Sequence, residues 1–418
     1  MKKLLIALII IVFALALAAC SQAEENAPDR PIFLIREDGE ELTREHFLAD
    51  LDYMMWVLET NFAVFDVAYW ARGVDMHSLA ADARDRITAS EHLDEDIFLG
   101  ILMDSFLPLF GIAHFAIHDA ELNMRYYNNV MGFSLPGWQD VLNMPRVRGF
   151  YDPRIQELME TFEMSDMPPG DNMAPSSEII EEGKTALIRL PSMQLPLVYG
   201  LAILDFYEEI RDFEHLILDL RGNPGGFESF FFEIIMGPNI EEVITMDIIS
   251  FVKAGERVIQ TQSLLAGTAN IRFFGGLRPI DEVLAENYLP QLNLVDMERM
   301  THGIAGRLTV SPRPEEGFGG KIWMLTDGHI SSAAQIAAFA SKDTGFATLV
   351  GDTTGGNFSG PRLLVSTPNT GILFQFDALY MIDSNGRPLE AGTMPHHFNR
   401  DGMDALETVL ALIEEGNY

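Results

Sequence analysis

Short apolar runs alternate with helical patterns between residues 186 and 351, and this alternation constrains the fold more than any other feature of the sequence. Strands that alternate with helices are typical of α/β cores, in which the strands pair in parallel. We therefore predict an α/β core over residues 183–418, with a parallel-rich sheet and flanking helices. The apolar runs cover residues 186–190, 216–220, 322–326, 347–350 and 372–380, and the helical patterns cover residues 196–213, 331–341 and 401–415.

The chain before this core divides into a helical part and an irregular part. Apolar residues recur at helical spacing from Thr43 onwards, and again over residues 77–88 and 94–109. This pattern predicts a small N-terminal helical domain over residues 40–118. Residues 119–182 contain several prolines and a cluster of proline, glycine and serine, which is typical of loops. We interpret this second stretch as a linker or irregular region.

The first twenty residues have the pattern of a signal peptide that directs export of the chain. Two lysines precede sixteen apolar residues, a run shorter than the ~20 residues that a membrane-spanning helix needs. The run ends in Leu-Ala-Ala before Cys20, the only cysteine of the chain, and this stretch resembles a bacterial lipobox. The resemblance implies a lipoprotein signal peptide over residues 1–19, lipidation of Cys20, a tether over residues 20–39 and an extracytoplasmic, lipid-anchored location in a bacterium. An ordinary secretory signal with an incidental cysteine is the alternative.

The charge and the histidine spacing exclude several partners. The chain has 62 acidic side chains against 28 lysines and arginines, a formal net charge of −34. Such a chain repels nucleic acid and anionic lipid headgroups, so we expect membrane attachment through the lipid on Cys20 and no nucleic-acid partner. His114 and His118 are four residues apart, but the sequence between them is strand-like and lacks the glutamate of a HExxH motif. We expect no metal and no cofactor.

A turn before the predicted helix at residues 331–341 has the residues for nucleophilic chemistry. An apolar run meets this turn, and the turn opens into the helix at Ser331 and Ser332. The first turn of a helix leaves N–H groups without acceptors at the positive end of the helix dipole. A hydroxyl there suits a nucleophile whose attack creates an oxyanion. A helix N-cap is the alternative role for this serine pair.

A second turn, at residues 221–226, is rich in glycine. Glycines let a backbone N–H approach a ligand closely, and α/β proteins bind ligands beyond the carboxyl ends of their strands. A plain connector is the alternative. The sequence lacks the Gly-Lys-Ser/Thr of a phosphate-binding loop, so we do not expect a phosphate site.

Three separated motifs together resemble the tail-specific, or C-terminal processing, serine peptidase family, which includes the tricorn protease core. The motifs are DLRGNPGG at residues 219–226, SSAAQ at residues 331–335 and ATLVGDTTGGN at residues 347–357, in the order of the family. The resemblance covers about residues 183–400 and extends to the helical region that ends at His114. It implies a ClpP/crotonase-like fold and the hydrolysis of peptide bonds in a peptide or protein substrate.

The resemblance assigns roles to individual residues around the serine. Ser332 matches the nucleophile of the family. Ala333 would supply one N–H of the oxyanion hole, and Gly225 or Gly226 would supply the other. We find no PDZ module between the helical domain and the core, so no dedicated reader of substrate C termini is expected.

Two branches of the family differ in the residue that acts as the general base. The C-terminal processing peptidases pair the serine with a lysine, but the matching residue here is Asn357, and no lysine follows it. Lys342 lies nearly three helical turns from Ser332, which is too far for a Ser-Lys dyad. The tricorn-like branch uses histidine and glutamate instead. His114 stands where that histidine lies, although the usual Asp-Gly before it has become Ile-Ala, and Glu390 stands where the glutamate lies.

These assignments predict a membrane-tethered, extracytoplasmic serine peptidase. Ser332 would attack the carbonyl, His114 would act as general base, and Glu390 would orient and charge-stabilise the imidazole. The alternative is a catalytically degenerate lipoprotein on the same fold that binds peptides or apolar ligands. Three departures from the family pattern support this alternative. They are the altered sequence before His114, Gln335 in place of a common glutamate and His396 in place of a common aspartate.

Overall fold

The computed structural model describes most of the chain after the predicted signal peptide. It covers residues 31–127, 137–161, 174–194, 197–260, 270–313, 317–357, 360 and 362–416. Cys20 and the first part of the predicted tether lie outside these residues. Among the described helices, none combines the length and the apolar character that crossing a bilayer requires.

Helices and strands alternate over most of the described residues. The helices are α1 (Arg44–Asn61), α2 (Val67–Arg72), α3 (Met76–Ala89), α4 (Glu95–Phe106), α5 (Ala120–Tyr127), α6 (Trp138–Leu142), α7 (Pro145–Thr161), α8 (Leu197–Glu209), α9 (Glu228–Phe230), α10 (Glu256–Gln260), α11 (Ile280–Glu286), α12 (Leu294–Met297), α13 (Ala333–Asp343) and α14 (Ala405–Glu415). The strands are β1 (Ala116–Ile117), β2 (Ser176–Glu181), β3 (Thr185–Arg189), β4 (His215–Asp219), β5 (Ile244–Val252), β6 (Ile271–Pro279), β7 (His302–Val310), β8 (Lys321–Thr326), β9 (Thr348–Gly351), β10 (Arg362–Ser366), β11 (Leu373–Asp377), β12 (Tyr380–Ile382) and β13 (His397–Phe398).

A six-stranded sheet forms the centre of the fold, in the order β13-β9-β8-β4-β3-β2. Its neighbouring strands are parallel except for the pair β2 and β3. The prediction of an α/β core with a parallel-rich sheet and flanking helices is therefore confirmed. A separate antiparallel sheet has the order β12-β5-β7-β6.

Both faces of the central sheet are covered, which explains its continuous apolar runs. On one face, Leu187, Ile217 and Trp323 pack in a cluster with residues of α14. The alternating residues of the same strands point to the opposite face. There, Leu216 and Met324 belong to the larger core of the molecule. Strands buried on two faces need apolar residues at every position.

The N-terminal helices share that larger core with the strands. It extends without interruption from Phe47 in α1 to Ile382 in β12. The rings of Phe62 and Phe376 meet edge to face, with their centroids 5.4 Å apart. The helical unit is therefore packed directly on the rest of the chain, and its predicted boundary at residue 118 stays a prediction.

The described part of residues 119–182 is more regular than the irregular linker we predicted. It contains α5, α6, α7 and β2. Its prolines do not exclude helix, because Pro145 is the first residue of α7, where the missing N–H costs no intrahelical hydrogen bond. Pro153 lies inside the same helix. Most of the proline-rich cluster at residues 168–175 lies outside the described residues.

A three-stranded antiparallel sheet, β1-β11-β10, connects the N-terminal part of the chain to its C-terminal third. Residue 116 in β1 lies opposite residue 375 in β11. If this register is continued by two residues, His114 lies level with Asp377, the last residue of β11. Arg362, the first residue of β10, pairs with Asp377 from the other side. The register of this sheet thus brings an imidazole to a carboxylate from far along the chain.

Candidate active site

The serine before α13 has an unusual backbone conformation. Ser332 connects the turn after β8 to the helix, with φ 55° and ψ −126°. Positive φ is disfavoured for residues with a Cβ, and sharp turns of this kind between a strand and a helix expose a nucleophilic side chain. Its N–H donates to the carbonyls of Gly356 and Asn357, at 3.3 and 3.2 Å. The turn is therefore fixed to the loop after β9.

The structure brings the serine and the histidine of the sequence analysis together. Nε2 of His114 lies 3.1 Å from Oγ of Ser332, although 218 residues separate them in the chain. Nδ1 of the same ring lies 2.5 Å from Oδ2 of Asp377. The Asp377 side chain is 1% exposed and the His114 side chain 15% exposed. A hydroxyl, an imidazole and a buried carboxylate therefore form one continuous line.

Asp377, and not Glu390, is the carboxylate at the imidazole, which corrects our prediction. Glu390 lies in a single helical turn, Leu389–Ala391, and its Oε1 accepts a hydrogen bond from the backbone N–H of Ala113 at 3.0 Å. The sequence contained a signal for Asp377, because it is the only carboxylate within the apolar run at residues 372–380. A buried carboxylate needs a charged or hydrogen-bonding partner.

Of the predicted oxyanion donors, Ala333 and Gly226 stay candidates and Gly225 does not. Ala333 is the first residue of α13, whose N–H has no acceptor within its own helix. The N–H of Gly225 donates to Oδ1 of Asn223 at 2.8 Å, so it is not available for an oxyanion. A Cβ at Gly225 would lie 2.7 Å from both the amide nitrogen of Ala333 and Cβ of Ser332. The absence of a side chain at Gly225 therefore permits the glycine-rich turn to approach Ser332 and Ala333 closely.

Strained backbone is concentrated at this site. Among the described residues, the non-glycine residues with positive φ are Ala113, His114, Ser332 and Asn357. Such conformations persist only where the surroundings hold them, and they cluster at functional sites. The N–H of His114 donates to Oδ1 of Asn357 at 2.5 Å, and Nε2 of Gln375 donates to the carbonyl of His114 at 2.9 Å. Side chains from distant parts of the chain thus fix the backbone of the histidine.

Gln335, which stands where a glutamate is common in the family, joins the helix of Ser332 to the turn of Glu390. Its Nε2 donates to the carbonyl of Leu389 at 3.2 Å and to Oγ1 of Thr393 at 3.0 Å. Its Oε1 accepts a hydrogen bond from Thr354. An amide supplies both a donor and an acceptor here, a combination that an ionised glutamate lacks.

The surroundings of His114 favour its neutral form. Burial lowers the pKa of His114 below its ordinary value of 6.5, the Asp377 carboxylate raises it, and the charge of Arg362 lowers it, with a net lowering. Nε of Arg362 lies 4.0 Å from Oδ1 of Asp377. A neutral imidazole that donates from Nδ1 to Asp377 has an unprotonated Nε2 facing Ser332, the form required of a proton acceptor.

Metal-binding side chains do not converge in the part of the chain that the structure describes. There, no three His, Cys, Asp or Glu side chains are arranged to hold a metal ion. Nε2 of His118 lies 2.9 Å from Oε1 of Gln375, and burial lowers the pKa of His118 to about 4. His118 is therefore part of the support beneath His114.

The chain belongs to peptidase family S41, whose family model matches residues 184–397, slightly more than half of the sequence. It is therefore a serine-type peptidase, and the resemblance to tail-specific and tricorn-like peptidases is confirmed. A comparison with curated proteins found no match.

Solved structures share the fold at low sequence identity. One is a protein from Parabacteroides merdae that is proposed to be a peptidase, with a TM-score of 0.54 and 15% identity over 89% of this chain and 97% of that chain. Another is mature CPAF, with a TM-score of 0.53 and 13% identity over 90% of this chain and 99% of that chain. Both alignments therefore cover about nine tenths of this chain.

Proposed function

We propose that this peptidase hydrolyses peptide bonds in peptide or protein substrates through Ser332, His114 and Asp377. The observation that carries the proposal is the 3.1 Å contact between Nε2 of His114 and Oγ of Ser332. An isolated serine hydroxyl is a weak nucleophile at neutral pH and needs an adjacent base. The side chain of His114 is 15% exposed, which supports access of a substrate to the pair.

Each residue has a defined step in this mechanism. Oγ of Ser332 attacks the substrate carbonyl and forms a C–O bond while its proton passes to Nε2 of His114. The N–H groups of Ala333 and Gly226 would stabilise the oxyanion. His114 then returns the proton to the leaving amine as the C–N bond breaks. Water hydrolyses the acyl-enzyme through the same base, and Asp377 stabilises the imidazolium in both halves of the cycle.

The pH profile of kcat/KM is expected to reflect the lowered pKa of His114. Only the neutral imidazole accepts a proton from Ser332, so the acid limb should have its midpoint below pH 6.5. Arg362→Met removes a charge that lowers this pKa, so the midpoint should move upward. Measuring kcat/KM across the acidic and neutral range for both proteins tests this. A wild-type midpoint above 6.5, or a downward move in the variant, contradicts the assignment of the base.

The location is proposed from the sequence, since Cys20 lies outside the described residues. We infer that the chain is a lipoprotein anchored through Cys20 on the outer side of a bacterial membrane. The support is the apolar run before the only cysteine, and acyl chains hold such a protein to the bilayer. Labelled palmitate should be incorporated into the wild-type chain in cells and not into Cys20→Ser. Equal incorporation into both proteins would disprove the anchor.

A fluorophosphonate probe tests the proposed function directly. The probe reacts with serines that an adjacent base activates, so the folded protein should be labelled on the peptide that contains Ser332, as located by mass spectrometry. Unfolded protein is the control and should not react. Absence of label in folded protein would favour the alternative of a degenerate, ligand-binding peptidase fold.

A further inference from the structure

We propose that Glu390 is a positioning residue that holds the Ala113–His114 backbone in its left-handed conformation. This inference rests on the proposed function, because its effect on the reaction acts through His114. Glu390 is 1% exposed, and its Oε1 accepts the N–H of Ala113 at 3.0 Å. The imidazole itself is paired with Asp377 through Nδ1 and faces Ser332 through Nε2.

The backbone that Glu390 holds is one that L-residues avoid. Ala113 has φ 42° and ψ 49°, and His114 has φ 52°. Each carries a Cβ that clashes locally in this region, so two consecutive residues revert to negative φ unless they are restrained. Loosening of this backbone would misplace Nε2 of His114 relative to Oγ of Ser332.

Three side chains restrain this segment from three different elements. Glu390 accepts the N–H of Ala113, Asn357 accepts the N–H of His114, and Gln375 donates to the carbonyl of His114. The restraint from Glu390 acts on the residue before the histidine, since its carboxylate accepts the N–H of Ala113. It therefore sets the direction in which the chain enters His114.

The turn of Glu390 is itself fixed against the nucleophile's helix. Gln335 lies three residues after Ser332 and donates to the carbonyl of Leu389. The backbone of Glu390 packs closely on Gly356. A Cβ at position 356 would lie 2.3 Å from the carbonyl oxygen of Glu390. The path from Ser332 through α13 and Gln335 to Glu390 and Ala113 is therefore continuous, and it fixes the position of the histidine relative to the serine.

Substitutions of Glu390 distinguish positioning from a role as the triad acid. Glu390→Gln retains an acceptor oxygen for the Ala113 N–H and should keep kcat/KM within a few-fold of wild type. Glu390→Ala removes the acceptor and should lower kcat/KM about a hundred-fold, the order of loss expected from small misplacement of a reacting group. The midpoint of the acid limb should stay unchanged, because the bond between His114 and Asp377 remains.

Rescue by glycine provides the decisive measurement. Glycine adopts positive φ without a steric penalty, so Ala113→Gly in the Glu390→Ala background should recover most of the lost kcat/KM. Ala113→Gly alone should resemble wild type, and thermal melting reports whether each variant is folded. The inference is overturned if Glu390→Gln loses as much activity as Glu390→Ala, if the midpoint shifts, or if glycine fails to rescue a folded double variant.

Fluorophosphonate labelling separates failure of this inference from failure of the proposed function. If wild-type protein is not labelled at Ser332, the proposed function fails. If wild-type protein is labelled and the glycine rescue does not occur, only the positioning role of Glu390 fails. If Glu390→Ala does not fold, the comparison of Glu390→Gln with wild type decides alone, because a triad acid would not tolerate the neutral amide.

Discussion

Ser332→Ala is expected to lower kcat for peptide hydrolysis about a million-fold, the loss typical of removing a serine nucleophile whose partners act as a unit. The variant loses the hydroxyl that lies 3.1 Å from Nε2 of His114. It keeps a Cβ and the same backbone, so its thermal melting temperature should stay close to that of wild type. Turnover of an unstructured peptide substrate, followed over hours, measures the loss.

The neighbouring serine supplies the matched control. Oγ of Ser331 donates to the carbonyl of Pro224 at 3.2 Å. Ser331→Ala removes a hydroxyl of the same kind one residue away, and its kcat should stay within a few-fold of wild type. Residual turnover above about a thousandth of the wild-type rate in purified Ser332→Ala would exclude Ser332 as the nucleophile.

Asp377→Asn is expected to lower kcat about ten-thousand-fold, as loss of the acid does in other serine peptidases with this arrangement of groups. The carboxylate accepts the Nδ1 proton of His114 and so keeps Nε2 free to act as a base. An asparagine can present its NH₂ to Nδ1 instead, which places the ring proton on Nε2, facing Ser332. Loss of the carboxylate charge also removes an influence that raises the pKa of His114.

Glu390→Gln is the control for this substitution, because it neutralises the other buried carboxylate beside the histidine loop. Measuring kcat of both variants on the same substrate shows which carboxylate contributes more to the reaction. The expected order is a large loss for Asp377→Asn and a small one for Glu390→Gln. The reverse order would restore Glu390 as the acid of the triad and would disprove the role of Asp377.

The parts of the fold that the sequence predicted are those in which local pattern decides the structure. Continuous apolar runs predicted β3, β4, β8 and β9. A strand that is buried on both faces has apolar residues at successive positions, so its sequence does not alternate between apolar and polar residues. The run at residues 372–380 was predicted as one strand and is two, β11 and β12, which belong to different sheets. A change of sheet leaves no mark in an apolar run, because both halves are buried.

The candidate site was predicted in part. The observed site differs from the prediction where contacts between side chains and distant backbone decide a residue's role. Ser332 was recognisable from the short motif around it, and His114 from its place after the N-terminal helices, although the residues before it differ from the family pattern. Asp377 was missed because its position depends on the antiparallel register of β1 with β11, set by pairs about 260 residues apart. Gly225 was offered as an oxyanion donor because a sequence does not show that Asn223 already accepts its N–H.

The sequence by itself determined the alternation of strands and helices, the serine at a helix start and the apolar run before Cys20, because each is encoded within one stretch of neighbouring residues. The tertiary structure alone decided which carboxylate meets the imidazole and which holds the backbone beside it. Asp377 and Glu390 are thirteen positions apart, and both are buried. Their roles differ because strand pairing and the packing of one helical turn direct the two side chains to different atoms of the same loop.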